Sequence, residues 1–465
     1  MVIEMTTGRA LNLIDRKADV ASGRIGGLWG VLARWPLTRG VAVAAWRANV
    51  SPWEIAGLAL FVGLLAGAAP VAVGRMVQDR GSDFAEFYRA GRYVLEHRAR
   101  EPHTILAYYW PSLDVAWAGL AWLPLRVAAV VWYVAGCAAW VGLLVTIRRK
   151  VLAGWPDHHA RQAALAAGLL MMPLALDHLC LGAFHILMLW LMIAGLFDAI
   201  EGRWCRGGLL LGLAIWIKLL PGLAAGYLLL KRRWRPALLA VGSALAIDAA
   251  LSVAAFGPST AWAEHRQWWD KEVRGTTVRL LSKPYAIAEH RSNNQSLAAV
   301  MRRVLTLLVI EEANGRWEMY SLGRLTVDQL KVAYAAAMAL MGAIVLVLLR
   351  RPAWRMTPDR WPLEIALVSL STIWFSPVVW GYHLLAIAPA LGLILLRERH
   401  ERLAVWSLVA FWIAALASLG SIDLRSYGAL LVTSWLLGWA MLRLGRIGPG
   451  GAAQPLGKAP LARAA

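Results

Sequence analysis

Three cysteines in 465 residues give this chain no disulfide framework. Cys137, Cys180 and Cys205 show no pairing pattern. Two of them lie in apolar runs, where a thiol packs as a small hydrophobe. Carboxylates are also scarce, with 28 Asp and Glu against 48 Lys and Arg. No Walker sequence, glycine-rich dinucleotide fingerprint or metal-spaced His/Cys cluster occurs, and no repeat of about 20–50 residues. Nothing in the sequence therefore calls for a metal, a cofactor or a bound nucleoside triphosphate. The N-terminus carries no signal-peptide pattern.

What the chain has in excess is apolar length. It is 59% hydrophobic, with a mean hydropathy of +0.54. Apolar runs of about 18–22 residues recur, each enough to cross a ~30 Å hydrocarbon core. In lipid every backbone polar group must be satisfied internally, so only helices or closed barrels span it. The runs are long and do not alternate, which selects helices. The expected fold is an all-α polytopic membrane protein with about 11–13 transmembrane helices. The net charge of +20 sits in short blocks between spans, such as Arg148-Arg149-Lys150, Lys231-Arg232-Arg233 and Arg350-Arg351. That is the positive-inside pattern of a multi-pass protein, not a nucleic-acid surface. Many of the 26 Trp lie near span ends, as interface anchors do.

Three regions follow. Residues 1–50 are basic and are expected to stay at the cytoplasmic face. Residues 51–445 form the membrane domain. Residues 446–465 are Gly/Pro/Ala-rich and read as a disordered cytoplasmic tail. Two long polar loops, about 75–110 and 257–297, fall outside if the N-terminus is inside, and can cover one cavity. Spans are expected near 112–123 and 126–147, with Pro124 as a tight turn or a break in one long helix. A span is also expected near 298–310. The 206–230 stretch holds Lys218 and Pro221 at its middle, and reads as one kinked helix or two half-spans.

Several polar residues sit where lipid makes them expensive. Asp83 opens a run with helical spacing. Phe84, Phe87, Tyr88, Gly91 and Leu95 fall on one side, and Glu86, Arg89, Tyr93 and Glu96 on the other. The run reads as an amphipathic helix lying on the bilayer. Asp83 is either a general base or, with Glu86 three residues on, only the N-cap of that helix. Lys218 is an intramembrane cation, costing roughly 2.5–3.5 kcal/mol to insert. Its partner is a phosphate or a carboxylate such as Asp177, Asp198 or Asp248. Tyr109 can stack on a sugar or sit at headgroup level. Asp177-His178 and His185 form a structural pair or contribute to a site. Asn294 and Gln295 can bind hydroxyls, or the segment can cap a helix through Ser296. Trp380 and His383, after Ser376-Pro377, can bind a phosphate or sugar hydroxyl, or form an interfacial belt. Arg89 and Arg291 are loop cations available to a leaving phosphate.

These pieces together resemble the polytopic GT-C glycosyltransferases, and within them glycosyltransferase family 87, whose members include polyprenyl-phosphate-mannose-dependent α-mannosyltransferases. The matching stretches are Asp83-Phe84 with Tyr88 to Gly91, Tyr109-Trp110-Pro111, Ile217 to Pro221 with Lys231 to Arg235, Asn294 to Leu297, and Ser376-Pro377 to Trp380 with His383. They run in the family's order over residues 80–385. The resemblance implies a GT-C fold with a catalytic Asp in the first outer loop, here Asp83. Lys218 and His383 would lie near the donor phosphate. One departure is clear. The family often has Gly-Gln-x-Asn opening the fifth span, and this chain has Gly182-Ala183-Phe184-His185. Mannose therefore does not carry across with the resemblance.

The implied function is transfer of a sugar from a polyprenyl-phosphate-sugar donor to a hydroxyl of a lipid-linked or cell-envelope glycan acceptor. The reaction would invert the anomeric carbon, at the outer (periplasmic or extracellular) face of the cell membrane. The expected partners are donor, acceptor and membrane lipids. The rival reading is a transporter or flippase for an anionic lipid, for which an inverted repeat would speak; none is visible.

Overall fold

The computed structural model describes residues 50–78, 82–97, 109–282, 293–307, 309–311, 317–319, 321–397, 406, 409–413 and 428–444. The basic N-terminal segment, the C-terminal tail and Arg291 lie outside them. The described part is an all-α membrane bundle with one short β-hairpin, Val309–Glu311 against Trp317–Met319.

Among the described residues, four helices are long and apolar enough to cross a membrane: α1 (Pro52–Met76), α4 (Leu125–Thr146, continued by a π turn to Val151), α10 (Trp234–Phe256) and α14 (Val327–Leu349). Their large apolar side chains face outward. Leu58, Leu60, Val71, Val130, Val241 and Val347 are all exposed. A chain can leave such a surface bare only where lipid covers it. Helices α5 (Asp157–Leu170) and α6 (Met172–Leu181) form a fifth, broken span, bent by 55°. Shorter apolar helices fill the interior: α7 (His185–Ile200), α8 (Trp204–Ile217) and α9 (Gly222–Leu230).

The two ends of the bundle differ in charge. Lys231 donates to the carbonyls of Leu349 and Arg351 and pairs with Glu364 at 2.5 Å, joining two basic blocks. Lys150 pairs with Glu201 at 2.6 Å, and Arg161 bridges Glu54 and Asp157. From Trp234 beside this basic end, α10 runs 23 residues to Phe256. At ~1.5 Å per residue that is about one bilayer thickness. The second polar segment starts there, as α11 (Pro258–Trp268) and α12 (Gly275–Ser282).

Three local expectations change. Residues 112–121 form α3, a helix of ten residues, too short at ~15 Å to span, and Pro124 is the turn into α4. The expected 298–310 span is instead α13 (Leu297–Leu305), a nine-residue amphipathic helix followed by the hairpin. Its Arg302 and Arg303, both buried, explain why. The apolar side of α2 (Asp83–His97) faces protein, not lipid. Phe84, Phe87, Ala90 and Gly91 are buried against α3. A Cβ on Gly91 would meet the Trp117 backbone at 2.6 Å, so only glycine allows this approach. The Lys218–Pro221 break is as anticipated, with α8 ending at Ile217 and α9 starting at Gly222.

Candidate active site

The start of α2 is held from below. Ser82 Oγ accepts the Ala85 N–H and donates to the Leu181 carbonyl, both at 3.3 Å. Leu181 precedes Gly182, whose left-handed backbone (φ 68°) ends α6 and where a Cβ would meet Phe84 at 2.5 Å. Ser82 is thus the N-cap. Asp83 is the first helical residue, not the cap, and its carboxylate is released from that duty. It turns to Tyr382, whose hydroxyl donates to Asp83 Oδ2 at 3.5 Å.

Around Asp83 stands an aromatic wall. Phe87 packs on Tyr109 at 5.6 Å and Phe184 at 4.9 Å, and Phe84 on Trp117 at 5.6 Å. Burial among these rings pushes the Asp83 carboxyl up to about 6, against the opposing pull of the Lys218 charge and the Tyr382 hydroxyl. Asp177 and Glu86 add smaller upward pushes. A carboxylate in that range is a base that is mostly ionised at neutral pH yet holds a proton well.

Lys218 caps the broken α8. Its backbone is extended (φ −155°, ψ 139°), and its Nζ reaches His383 Nε2 at 3.2 Å and lies 5.9 Å from the Tyr109 ring centre. His383 sits in a 3-10 turn, Gly381–Ile387, between α15 (Arg360–Trp374) and α16 (Ala388–Arg397). Its Nδ1 accepts the Trp380 backbone N–H at 2.9 Å, so the neutral ring carries its proton on Nε2. An ammonium and a ring N–H therefore meet donor to donor. The contact completes itself only with a neutral amine. With the charged one, both donors require an outside acceptor, and an oxyanion is the natural one. The charge that faces Lys218 is that of Asp83. The other carboxylates the sequence offered as its partners are engaged elsewhere: Asp177 with Arg75 at 3.9 Å, Asp198 with Arg203 and Arg206, and Asp248 with Ser112 and His265.

Of the expected residues, Asp83, Lys218, His383 and Tyr109 come together. Trp380 serves through its backbone. Asn294 is a strut: its Oδ1 accepts from the Ser296 and Val379 N–H groups at 3.1 and 2.9 Å, and the Gln295 N–H donates to the Val379 carbonyl. Both hold the 376–380 loop that presents His383. Arg89 pairs with Glu86 on the exposed side of α2. His178 and His185 do not pair with Asp177. His178 Nε2 accepts the Ile186 N–H, and His185 Nε2 donates to the His383 carbonyl, both rings packing on Tyr382. They are supports of the site wall. Tyr382 is the site residue that spacing did not single out; its neighbour His383 was the available signal. Among the described residues no group of His, Cys, Asp and Glu could hold a metal ion.

A buried base beside two N–H donors, at the end of a membrane bundle away from the Lys231 and Arg351 blocks, is equipment for membrane-embedded group transfer. The chain matches the model of glycosyltransferase family 87 over residues 108–377, more than half its length, and belongs to that family. No curated protein and no solved structure matches it. Tyr109, Lys218, Asn294 and Gln295 lie inside the matched residues, whereas Asp83, Trp380 and His383 lie outside. The protein is a membrane glycosyltransferase, and the transporter reading falls.

Proposed function

We propose that the enzyme moves a sugar from a polyprenyl-phosphate-sugar to a hydroxyl of a lipid-linked or envelope acceptor, at the outer face of the cell membrane. The observation that carries this is the contact between the Lys218 ammonium and the His383 N–H, two donors that need an anion, beside the Asp83 carboxylate. Asp83 takes the proton of the acceptor hydroxyl. The acceptor oxygen attacks the anomeric carbon from the side opposite the phosphate. The bond to the phosphate oxygen breaks, and polyprenyl phosphate departs as an anion between Lys218 and His383. A single displacement inverts the anomeric centre. A phosphate leaving group needs positive charge but no proton donor, which fits a site with one carboxylate.

The test is transfer by the purified protein in nanodiscs from a panel of polyprenyl-phosphate sugars, with nucleotide sugars as controls. The expected result is product from a lipid-phosphate donor alone. Transfer from a nucleotide sugar only would overturn the donor assignment. The pH dependence should carry a rising limb near 6. Asp83 works ionised, so activity is lost as pH falls through its raised value.

The outer-face assignment rests on the basic blocks gathered at the opposite end of the bundle. Impermeant thiol reagents should label cysteines placed at positions 85–97 and 262–274 from outside, and at 232–235 and 351–355 only after permeabilisation. Labelling of position 270 from the cytoplasm would move the site to the inner face.

A further inference from the structure

A second polar cluster lies beside the site and takes no part in the chemistry above. Asp248 is buried in α10, where an unpaired carboxylate would be costly. Its Oδ1 accepts from Ser112 Oγ at 2.5 Å. Its Oδ2 accepts from His265 Nε2 on α11. The other ring nitrogen of His265 lies 2.6 Å from the Ala261 carbonyl. Carboxylate and carbonyl are both acceptors, so each ring nitrogen of His265 faces an acceptor, and His265 is the hydrogen-bond partner of Asp248. The chain of contacts continues inward. Trp216 Nε1 donates to Ser112 Oγ at 2.7 Å, and Trp110 Nε1 donates to the Ile215 carbonyl at 3.0 Å. Trp110 also stacks on Trp268, one turn after His265, at 4.7 Å.

The register of these contacts is informative. Ile215 and Trp216, at the end of α8, are the last anchored residues before Lys218. Trp110 and Ser112 follow Tyr109, whose ring lies 5.9 Å from Lys218 Nζ. Six side chains, from four helices and the turn before α3, thus fix the two stretches of chain that carry Lys218 and Tyr109. Two of the six, His265 and Trp268, come from the second outer segment.

We infer that Asp248 and His265 are positioning residues for the phosphate site. They clamp α11 onto the membrane core, and through Ser112 and Trp216 they aim Lys218. The inference rests on Lys218 binding the donor phosphate, so its test must separate the two ideas. Binding of polyprenyl phosphate alone, without turnover, does so. It is measured in nanodiscs for the parent protein, Asp248→Asn and His265→Gln, each also combined with Lys218→Met, alongside thermal melting. Asp248→Asn keeps an acceptor for Ser112 and removes the charge, and His265→Gln is a change on a partly exposed helix, so both variants should fold. Each should weaken polyprenyl phosphate binding about tenfold in the parent, within the coupling range of neighbouring residues. In the Lys218→Met background the same changes should alter binding less than twofold. Equal losses in both backgrounds, or melting loss without binding loss, would make the cluster a structural clamp and overturn the inference. A parent protein that does not bind polyprenyl phosphate, or a Lys218→Met protein that binds it unchanged, would instead sink the donor reading itself.

Discussion

Asp83→Asn should leave a folded, membrane-inserted protein whose turnover is at least ~100-fold lower, the scale of a lost general base. Two structural facts separate this from a folding defect. The cap of α2 is Ser82, whose Oγ takes the Ala85 N–H, so the helix start does not depend on the Asp83 carboxylate. Burial also raises the Asp83 carboxyl to about 6. A raised carboxylate binds its proton more tightly in the folded state than in the unfolded chain. Above about pH 6 the ionised group therefore detracts from stability. Asparagine carries no charge, so at pH 7.5 the variant should melt at the parent's temperature or higher. This is the trade between stability and function seen where a site holds an uncomfortable group. Single-turnover transfer and thermal melting, measured on one preparation, decide the matter. Near-parent turnover by a well-folded variant would remove Asp83 from the mechanism.

The sequence reveals those parts of this molecule that one element determines. Apolar length gave the membrane class, and the break at Lys218 and Pro221 was visible as a cation and a proline inside one apolar run. Periodicity found α2 and its apolar face. It could not say what that face touches: an amphipathic helix suits a bilayer and a neighbouring helix equally, and only the close approach at Gly91 tells them apart. Composition alone also reads 112–123 as a span, since α3 is apolar yet only ten residues long; Pro124, a turn or a break by sequence, is the turn. In the site, Asp83, Lys218 and His383 could be named singly because each is out of place in its own segment. Tyr382 and the Asp248–His265 pair could not, because their meaning lies in partners 299 and 17 residues away. Asn294 shows the same. Its side-chain oxygen accepts the N–H groups of Ser296 beside it and of Val379 in the loop before His383, a partner 85 residues away that no local pattern shows.

Lys218→Met should lose ~10²–10³ in turnover, as when a donor is removed from a developing anion. Methionine matches the length of lysine and is cheap in lipid, so insertion should be equal or better. The defect should fall on the chemical step and on donor use, not on acceptor binding. Negative charge on the phosphate oxygen grows as the glycosidic bond breaks, and a fixed cation in a site poor in water stabilises it more than it stabilises the ground state. The surroundings add a second signature. Lys218 pulls the Asp83 carboxyl down against the effect of burial. Removing that charge lets the carboxyl rise, so the acid limb of the residual activity should move to higher pH than the parent's value near 6. Lys218→Arg should keep part of the turnover and hold the limb near its parent position if charge alone matters. It should keep little turnover if the space beside His383 and the Tyr109 ring is too tight for a guanidinium. Should Lys218→Met transfer sugar like the parent with an unmoved limb, Lys218 is a snorkelling structural residue. The leaving phosphate must then be sought among the loop arginines.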